Sequence, residues 1–205
     1  MSLIEWNVAE EALPGQMQSG DRYVVKDLPS GVLVGVVDGI GHGQEAALPA
    51  ELAVHTLNNA NGGSLISLLW CCQQRLQGTR GAVLSMALFS EADDTMTWLG
   101  VGNVEGVLIR RELYGGARQE SLLLRGGVVG AQLPSISASV LPVSYGDMLI
   151  LATDGIRGGF ADNLNINAST QEIAQHIIEQ HWRKVDDALV LVARYVHKTE
   201  CSHRW

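Results

Sequence analysis

Residues 34–43 read Val34-Gly35-Val36-Val37-Asp38-Gly39-Ile40-Gly41-His42-Gly43, an apolar run that ends abruptly in a carboxylate and alternating glycines. A short apolar run of this kind is typical of a buried β-strand. Glycines at alternate positions let the backbone turn sharply after the strand and approach a ligand closely. The pattern therefore predicts a rigid strand that presents Asp38 at its end.

A second apolar strand with the same ending occurs later in the chain. Residues 148–155 read Met148-Leu149-Ile150-Leu151-Ala152-Thr153-Asp154-Gly155. Two strands that each end in Asp-Gly predict two carboxylates, Asp38 and Asp154, at one edge of a sheet. Carboxylate oxygens without accompanying Cys or His ligands favour Mg²⁺ or Mn²⁺ over zinc. We therefore expect these acids to hold a divalent cation.

Composition and charge argue against several classes of protein. The chain has 205 residues, a net charge of -8 and 46% apolar residues, which suits a single domain spanning residues 1–205. The acidic balance argues against a nucleic-acid partner, because such a protein needs a basic face. Three cysteines without paired spacing favour a reducing compartment. With no signal-peptide pattern and no apolar run long enough to span a bilayer, we expect a cytoplasmic protein without a membrane partner.

Strand and helix patterns occur in blocks along the chain. A strand is predicted at 32–37, and two helices with apolar stripes follow it, the second capped by Ser64. The middle of the chain is rich in strand patterns, including one at 122–124. A capping box at 169–172 opens a last helix, and a final strand is predicted at 189–196. This order predicts an α+β domain in which sheets pack together and helices lie outside.

Four acidic residues flank predicted strands: Asp21, Asp38, Asp154 and Asp186. A single Asp-Gly after a strand is usually a simple turn, but four acids in comparable contexts suggest a cluster. Clustered carboxylates repel one another and are costly to assemble without cations. Two metal ions about 3.5–4 Å apart, bridged by a carboxylate, remove that repulsion and activate a water molecule for attack on phosphorus.

Six short motifs occur in order along the chain: Ser19-Gly20-Asp21, Asp38-Gly39-x-Gly41-x-Gly43, Arg80-Gly81-Ala82, Val101-Gly102-Asn103-Val104, Thr153-Asp154-Gly155 and Asp186-Asp187. This ordered set resembles the metal-dependent type-2C protein phosphatases, the PPM family, over nearly the whole chain. Spacing and size look most like the bacterial branch containing SpoIIE and RsbU, and particularly RsbX. The resemblance implies an αββα sandwich with a dinuclear Mn²⁺ or Mg²⁺ site at one end.

The resemblance also implies a role for each matching residue. Asp38 and Asp154 would be the catalytic residues, with Asp38 bridging two Mn²⁺ or Mg²⁺ ions. Gly39 would contribute its backbone carbonyl to the metal site. Asp154 and Asp186 would complete the coordination of one ion, and Asp21 would serve the other ion.

Two positions depart from the family pattern, and two further residues are candidates for contact with the substrate phosphate. Ile40 stands where many members carry a histidine that assists the leaving group, and Leu189 stands where relatives usually carry threonine. His42, in the glycine turn, and Arg80 are the candidates for phosphate contact. A solvent-exposed position is an equal alternative for His42, and it is the commoner situation for an arginine in a turn.

Together these features predict a hydrolase that removes phosphate from phosphoserine or phosphothreonine in proteins through a metal-activated water. By resemblance to RsbX, the stand-alone phosphatase of the stressosome, the substrates would be phosphorylated STAS-domain proteins of the RsbS and RsbR type. The role would then be to reset stress signalling. Two alternatives stay open: a SpoIIE- or RsbU-like phosphatase of an anti-anti-sigma factor, and a non-catalytic pseudo-phosphatase that binds a phosphorylated STAS domain. The retained carboxylates argue against the pseudo-phosphatase.

Overall fold

The computed structural model describes residues 2–16, 18–41, 43–111, 118–133 and 135–197. Its strands are β1 (Ile4–Glu11), β2 (Asp21–Leu28), β3 (Gly31–Gly39), β4 (Ala82–Ser90), β5 (Thr95–Val101), β6 (Glu105–Arg110), β7 (Arg118–Ser121), β8 (Ser139–Pro142), β9 (Met148–Ala152) and β10 (Ala188–Tyr195). Its helices are α1 (Gln44–Asn58), α2 (Leu65–Leu76) and α3 (Thr170–His181). Helices thus interrupt the run of strands after β3 and again after β9.

The strands form two antiparallel sheets that pack face to face. Within the described residues, one sheet has the strand order β1-β10-β9-β6-β7 and the other has the order β2-β3-β4-β5-β8. Helix α3 covers the outer face of the first sheet, while α1 and α2 cover the outer face of the second. The αββα sandwich predicted from the sequence is therefore confirmed.

The central strand β3 is apolar on both faces because it lies between two hydrophobic layers. Val34 and Val36 point into the core between the sheets, where they join Leu149 of β9. Leu33 and Val37 point the other way and pack beneath α1 and α2. Complete burial of each such side chain contributes about 1.5–3 kcal/mol, which fixes the strand in place. The continuous apolar run in the sequence is explained by this double burial.

A tight hairpin between β2 and β3 sets the register that matters for function. Leu28 pairs with Gly31 across the two-residue turn Pro29-Ser30. Because the pairing then continues without interruption along both strands, Asp21 at the start of β2 lies directly opposite Asp38 at the end of β3. The turn chemistry at one end of the hairpin thus brings two carboxylates together at the other end.

The strand expected at 122–124 is absent from both sheets, and the neighbouring residues 118–121 form β7 instead. After β7 the chain crosses from one sheet to the other. The Leu122 N–H donates to the Gly106 carbonyl of the first sheet, and the Arg125 N–H donates to the Gly100 carbonyl of the second. The apolar residues that predicted a strand belong to a crossing segment in which Leu122 and Leu124 pack against the core between the sheets and Leu123 is exposed.

The helix starts follow the predicted capping chemistry. Ser64 accepts a hydrogen bond from the backbone at the start of α2, and Ser169 and Glu172 form the complete capping box of α3. Helix α1 continues through Pro49 without dividing. None of the described helices is both long enough and apolar enough to cross a membrane.

The capping box gives a first test of the fold. Replacing Ser169 with Ala should lower the free energy of unfolding by about 1 kcal/mol, because the Glu172 N–H loses its side-chain acceptor. Urea denaturation followed by circular dichroism measures this change. Ser144→Ala, at an exposed turn position, is the control and should change stability by less than about 0.5 kcal/mol. Equal stability of the Ser169→Ala variant and the parent would contradict the assignment.

Candidate metal centre

One end of the sandwich gathers acidic residues from both sheets. Asp21 and Asp38 belong to the second sheet and face each other across β2 and β3. Asp154 lies in the turn after β9, and Asp186 lies just before β10, so both belong to the first sheet. Since β9 and β10 are hydrogen-bonded neighbours, the two turns lie side by side at this end. The acids expected to form one site therefore lie at the same end of the fold. The prediction that Asp38 and Asp154 share one edge of a single sheet was wrong, because β3 and β9 belong to different sheets.

Burial and mutual repulsion dominate the electrostatics of this end. Asp21 is only 2% exposed, and its burial raises the pKa of the carboxyl group, with the nearby aspartates adding to the effect. The pKa of Asp38 is raised for the same two reasons, burial first and then Asp21 and Asp154. Among the described residues, no lysine, arginine or histidine forms a salt bridge with Asp21 or Asp38. The site thus holds crowded negative charge without a protein cation to balance it.

Thr153 links the two sheets directly at the site. Its hydroxyl donates a 2.8 Å hydrogen bond to Oδ2 of Asp21 and accepts a 2.9 Å hydrogen bond from the Leu189 N–H. The side chain is buried, with 2% exposure. Thr153 was predicted only as part of a sequence motif and without a role of its own, because its partner Asp21 lies 132 positions away.

Asn103 supports the exposed Asp154. Its side-chain amide donates a 2.7 Å hydrogen bond to Oδ2 of Asp154. The turn that carries Asn103 is fixed because Gly102 has a φ of +96° and lies so close to Val83 that a β-carbon there would clash. Like Thr153, Asn103 stood in a recognised motif but was not predicted as a site residue.

The adjacent acids Asp186 and Asp187 differ in their surroundings. Asp187 is 4% exposed, and its two oxygens accept hydrogen bonds of 2.7 Å each from the N–H groups of Leu13 and Gly20. Asp186 is half-buried, and its carboxylate accepts the N–H of Asp187 at 2.9 Å. Asp187 therefore anchors the chain that leads into β2, and the carboxylate expected to bind metal, Asp186, is the less enclosed of the two.

Two glycines allow the backbone to approach closely around the acids. A β-carbon at Gly39 would lie 1.8 Å from the carbonyl oxygen of Ala46 in α1, and one at Gly155 would lie 1.8 Å from the carbonyl oxygen of Asp187. No other residue fits at either position without moving the backbone. The glycine that follows each site aspartate is thus required by packing as well as by turn geometry.

Of the two candidates for phosphate contact, Arg80 is described by the structure and His42 is not. Arg80 lies against the glycine turn, since a β-carbon at Gly41 would be 3.1 Å from its guanidinium nitrogen. Its guanidinium forms a salt bridge with Glu45 in the first turn of α1, and both side chains are more than half exposed. His42 lies outside the described residues, so its proximity to substrate stays a prediction.

The residues at this end fit hard divalent cations. Its side-chain donors are carboxylate oxygens, which Mg²⁺ and Mn²⁺ prefer, and Asp38 is surrounded by four other aspartates that raise its pKa. Bound cations would neutralise this repulsion between the carboxylates. In the described part of the chain no three His, Cys, Asp or Glu side chains are already gathered into a coordination shell.

Comparison with known proteins agrees with this geometry. An αββα sandwich with an acidic end is the architecture of the PPM phosphatases. The sequence model described as stage II sporulation protein E (SpoIIE) matches residues 29–203 of the chain. The chain therefore belongs to the SpoIIE family. No curated protein is similar enough in sequence to count as a match.

Solved structures show the same fold. One chain, presented as "The bacterial stressosome: a modular system that has been adapted to control secondary messenger signaling", is 27% identical with a TM-score of 0.82, over 93% of this chain and 99% of the other. RsbX in complex with magnesium is 20% identical with a TM-score of 0.83, over 93% and 94%. The phosphatase domain of SpoIIE from Bacillus subtilis, solved with a fragment of its regulatory domain, is 21% identical with a TM-score of 0.74, over 96% and 63%.

The crowded carboxylates predict an unusual pH dependence of the metal-free protein. The pKa values of Asp21 and Asp38 are raised from 3.8 to about 7 and about 9, so the folded state binds more protons than the unfolded state across that range. Stability from these groups is therefore complete below the unfolded value and is lost as pH rises through the folded values. In chelator, the free energy of unfolding should fall by about 1 kcal/mol or more between about pH 5.5 and about pH 8.5.

Two controls identify the source of this pH dependence. Asp38→Asn should reduce the loss of unfolding free energy with rising pH, because the amide does not titrate. Saturating Mg²⁺ should remove it, because the cation binds the ionised carboxylates. A metal-free protein whose stability rises over this pH range would refute the electrostatic description of the site.

Proposed function

We propose that this chain is a metal-dependent phosphoprotein phosphatase that hydrolyses phosphoserine or phosphothreonine in STAS-domain proteins of a stressosome. The observation that supports the proposal is the position of Asp21 and Asp38, from one sheet, at the same end of the sandwich as Asp154 and Asp186, from the other. Membership of the SpoIIE family agrees with this assignment.

Each residue of the site has a defined task in the proposed reaction. Asp38 would bridge two Mn²⁺ or Mg²⁺ ions, with the Gly39 carbonyl beside it. Asp154 and Asp186 would hold one ion and Asp21 the other. Two such cations would lower the pKa of a bound water molecule and neutralise charge on the phosphoryl group. Asn103 keeps Asp154 oriented through its amide hydrogen bond.

Two residues near the glycine turn, Ile40 and Arg80, bear on protonation of the leaving group and on binding of the substrate phosphate. Ile40 has no proton to donate to the departing serine or threonine oxygen. Arg80 is close to the turn but is paired with Glu45, so it reaches a phosphate only by leaving that partner. An exposed ion pair contributes only about 0–1 kcal/mol, so the exchange costs little. Arg80 is thus available to bind the substrate phosphate bidentately.

The proposed substrate class is supported by the similar solved structures. One of them is presented with the bacterial stressosome, and another is RsbX. Exposed apolar side chains flank the site residues in sequence, with Ile40 directly after Gly39 and Val185 directly before Asp186. In the proposed complex these side chains would contact the docked phosphoprotein.

The central carboxylate provides the most direct test of catalysis. Asp38→Asn should abolish Mn²⁺-dependent phosphate release from an aryl phosphate, by more than about a hundredfold, while the fold stays intact. Amide and carboxylate have nearly the same size, but the amide lacks the charge that both cations need. Asp27→Asn is the matched control, because Asp27 lies in the neighbouring strand β2, at the opposite end of the hairpin from Asp38. Near-normal turnover by the Asp38→Asn variant would remove Asp38 from the mechanism.

Substrate choice requires intact phosphoproteins. We expect purified phosphorylated STAS-domain proteins to lose phosphate at least about tenfold faster, in kcat/KM, than phosphopeptides cut from them, because recognition uses a docked fold. Phosphate release in Mn²⁺ measures both rates. Equal rates would contradict docking of a folded substrate. Tight binding of the phosphoprotein without phosphate release would overturn the enzymatic assignment in favour of a binding module.

A further inference from the structure

We propose that Thr153 is a positioning residue of the metal centre, whose buried hydroxyl fixes the carboxylate of Asp21 for cation binding. This inference rests on the proposed metal-dependent function. It assigns to Thr153 a task that lies outside the metal ligands, since the threonine acts through Asp21.

The hydrogen bonds of Thr153 leave its hydroxyl one orientation. The hydroxyl has a single proton, and its oxygen already accepts the N–H of Leu189 at 2.9 Å. The proton is therefore directed at Oδ2 of Asp21, 2.8 Å away. A further backbone bond, from the Thr153 N–H to the Leu189 carbonyl at 3.1 Å, holds the threonine itself in place.

The bond joins the two sheets at the site, beside the hydrogen bond that the Gly20 N–H donates to Oδ2 of Asp187. Asp21 begins β2 in one sheet, whereas Thr153 follows β9 in the other. Among the described residues, the Thr153 hydroxyl is the donor whose hydrogen bond reaches the Asp21 carboxylate. Because this bond engages Oδ2, it fixes the orientation of the Asp21 carboxylate. Thr153 thus sets the position of one sheet's acid relative to the acids of the other sheet.

Three substitutions separate this role from ordinary packing. Thr153→Val removes the hydroxyl at nearly constant volume, and Thr153→Ser keeps the hydroxyl but removes the methyl group. Thr170→Val is the matched control, because Thr170 is also buried and its hydroxyl donates a 2.7 Å bond to Oδ1 of Asn7, in a contact between α3 and β1. All three variants are made in the full chain and compared with the parent.

The main readout is Mn²⁺ binding by calorimetry, without any phosphorylated substrate. Thr153→Val should weaken Mn²⁺ binding about tenfold or more, the range found when residues that orient metal ligands are replaced. Thr153→Ser should stay within about threefold of the parent, because it keeps the donor. Thr170→Val should leave Mn²⁺ affinity unchanged while lowering the thermal stability of the chelator-treated protein. Thr153→Cys, with a weaker donor, should give an intermediate affinity and replaces Thr153→Val if that variant does not fold.

Several results would overturn the inference. They are an unchanged Mn²⁺ affinity in Thr153→Val, equal losses in Thr153→Ser and Thr153→Val, and an equal loss of affinity in Thr170→Val. The proposed function fails separately, if the parent protein binds Mn²⁺ but releases no phosphate from any phosphoprotein. In that case the binding comparison among the threonine variants still decides the role of Thr153.

Discussion

The pairing of Asp21 with Asp38 across a two-stranded hairpin is the constraint on which the acidic end of the molecule depends. The hairpin register places the two carboxylates opposite each other, and burial prevents water from screening their charges. Bringing two carboxylates together is costly because they repel each other, so the surrounding structure must hold them in place. Thr153 does so from the opposite sheet by a hydrogen bond to Asp21.

Close backbone packing supplies the rigidity that this arrangement needs. Gly39 lets α1 approach the end of β3, and Gly155 lets the turn after β9 approach the backbone of Asp187. In each case the atom that would meet a β-carbon is a backbone oxygen, which cannot rotate away as a flexible side chain can. The two Asp-Gly motifs therefore serve two purposes at once, since the aspartate supplies charge and the glycine supplies the contact that fixes it.

Local patterns in the sequence were sufficient to predict much of the fold. Strand β3 is buried on both faces, so it could be predicted from its continuous apolar run. The capping box at Ser169 could be predicted because its two partners lie three residues apart, and the structure confirms it. The strand predicted at 122–124 was wrong, because Leu122 and Leu124 pack into the core while the segment crosses between the sheets. The role of Thr153 was not predictable, since no local pattern shows which acid, 132 positions away, its hydroxyl meets. The same holds for Asp187, whose partner Leu13 is 174 positions away.

The aspartates at this end of the sandwich differ in whether the protein itself stabilises their charge. Asp187 receives two backbone N–H groups, so its charge is balanced within the protein and fastens the chain before β2. Asp38 forms no salt bridge among the described residues, and Asp186 adds to the repulsion that it experiences. A cation that binds only the folded state adds stability in proportion to the logarithm of its concentration over its dissociation constant. The stability of this end of the sandwich is therefore coupled to cation binding, and the repulsion that weakens the metal-free protein is the same property that attracts the cations.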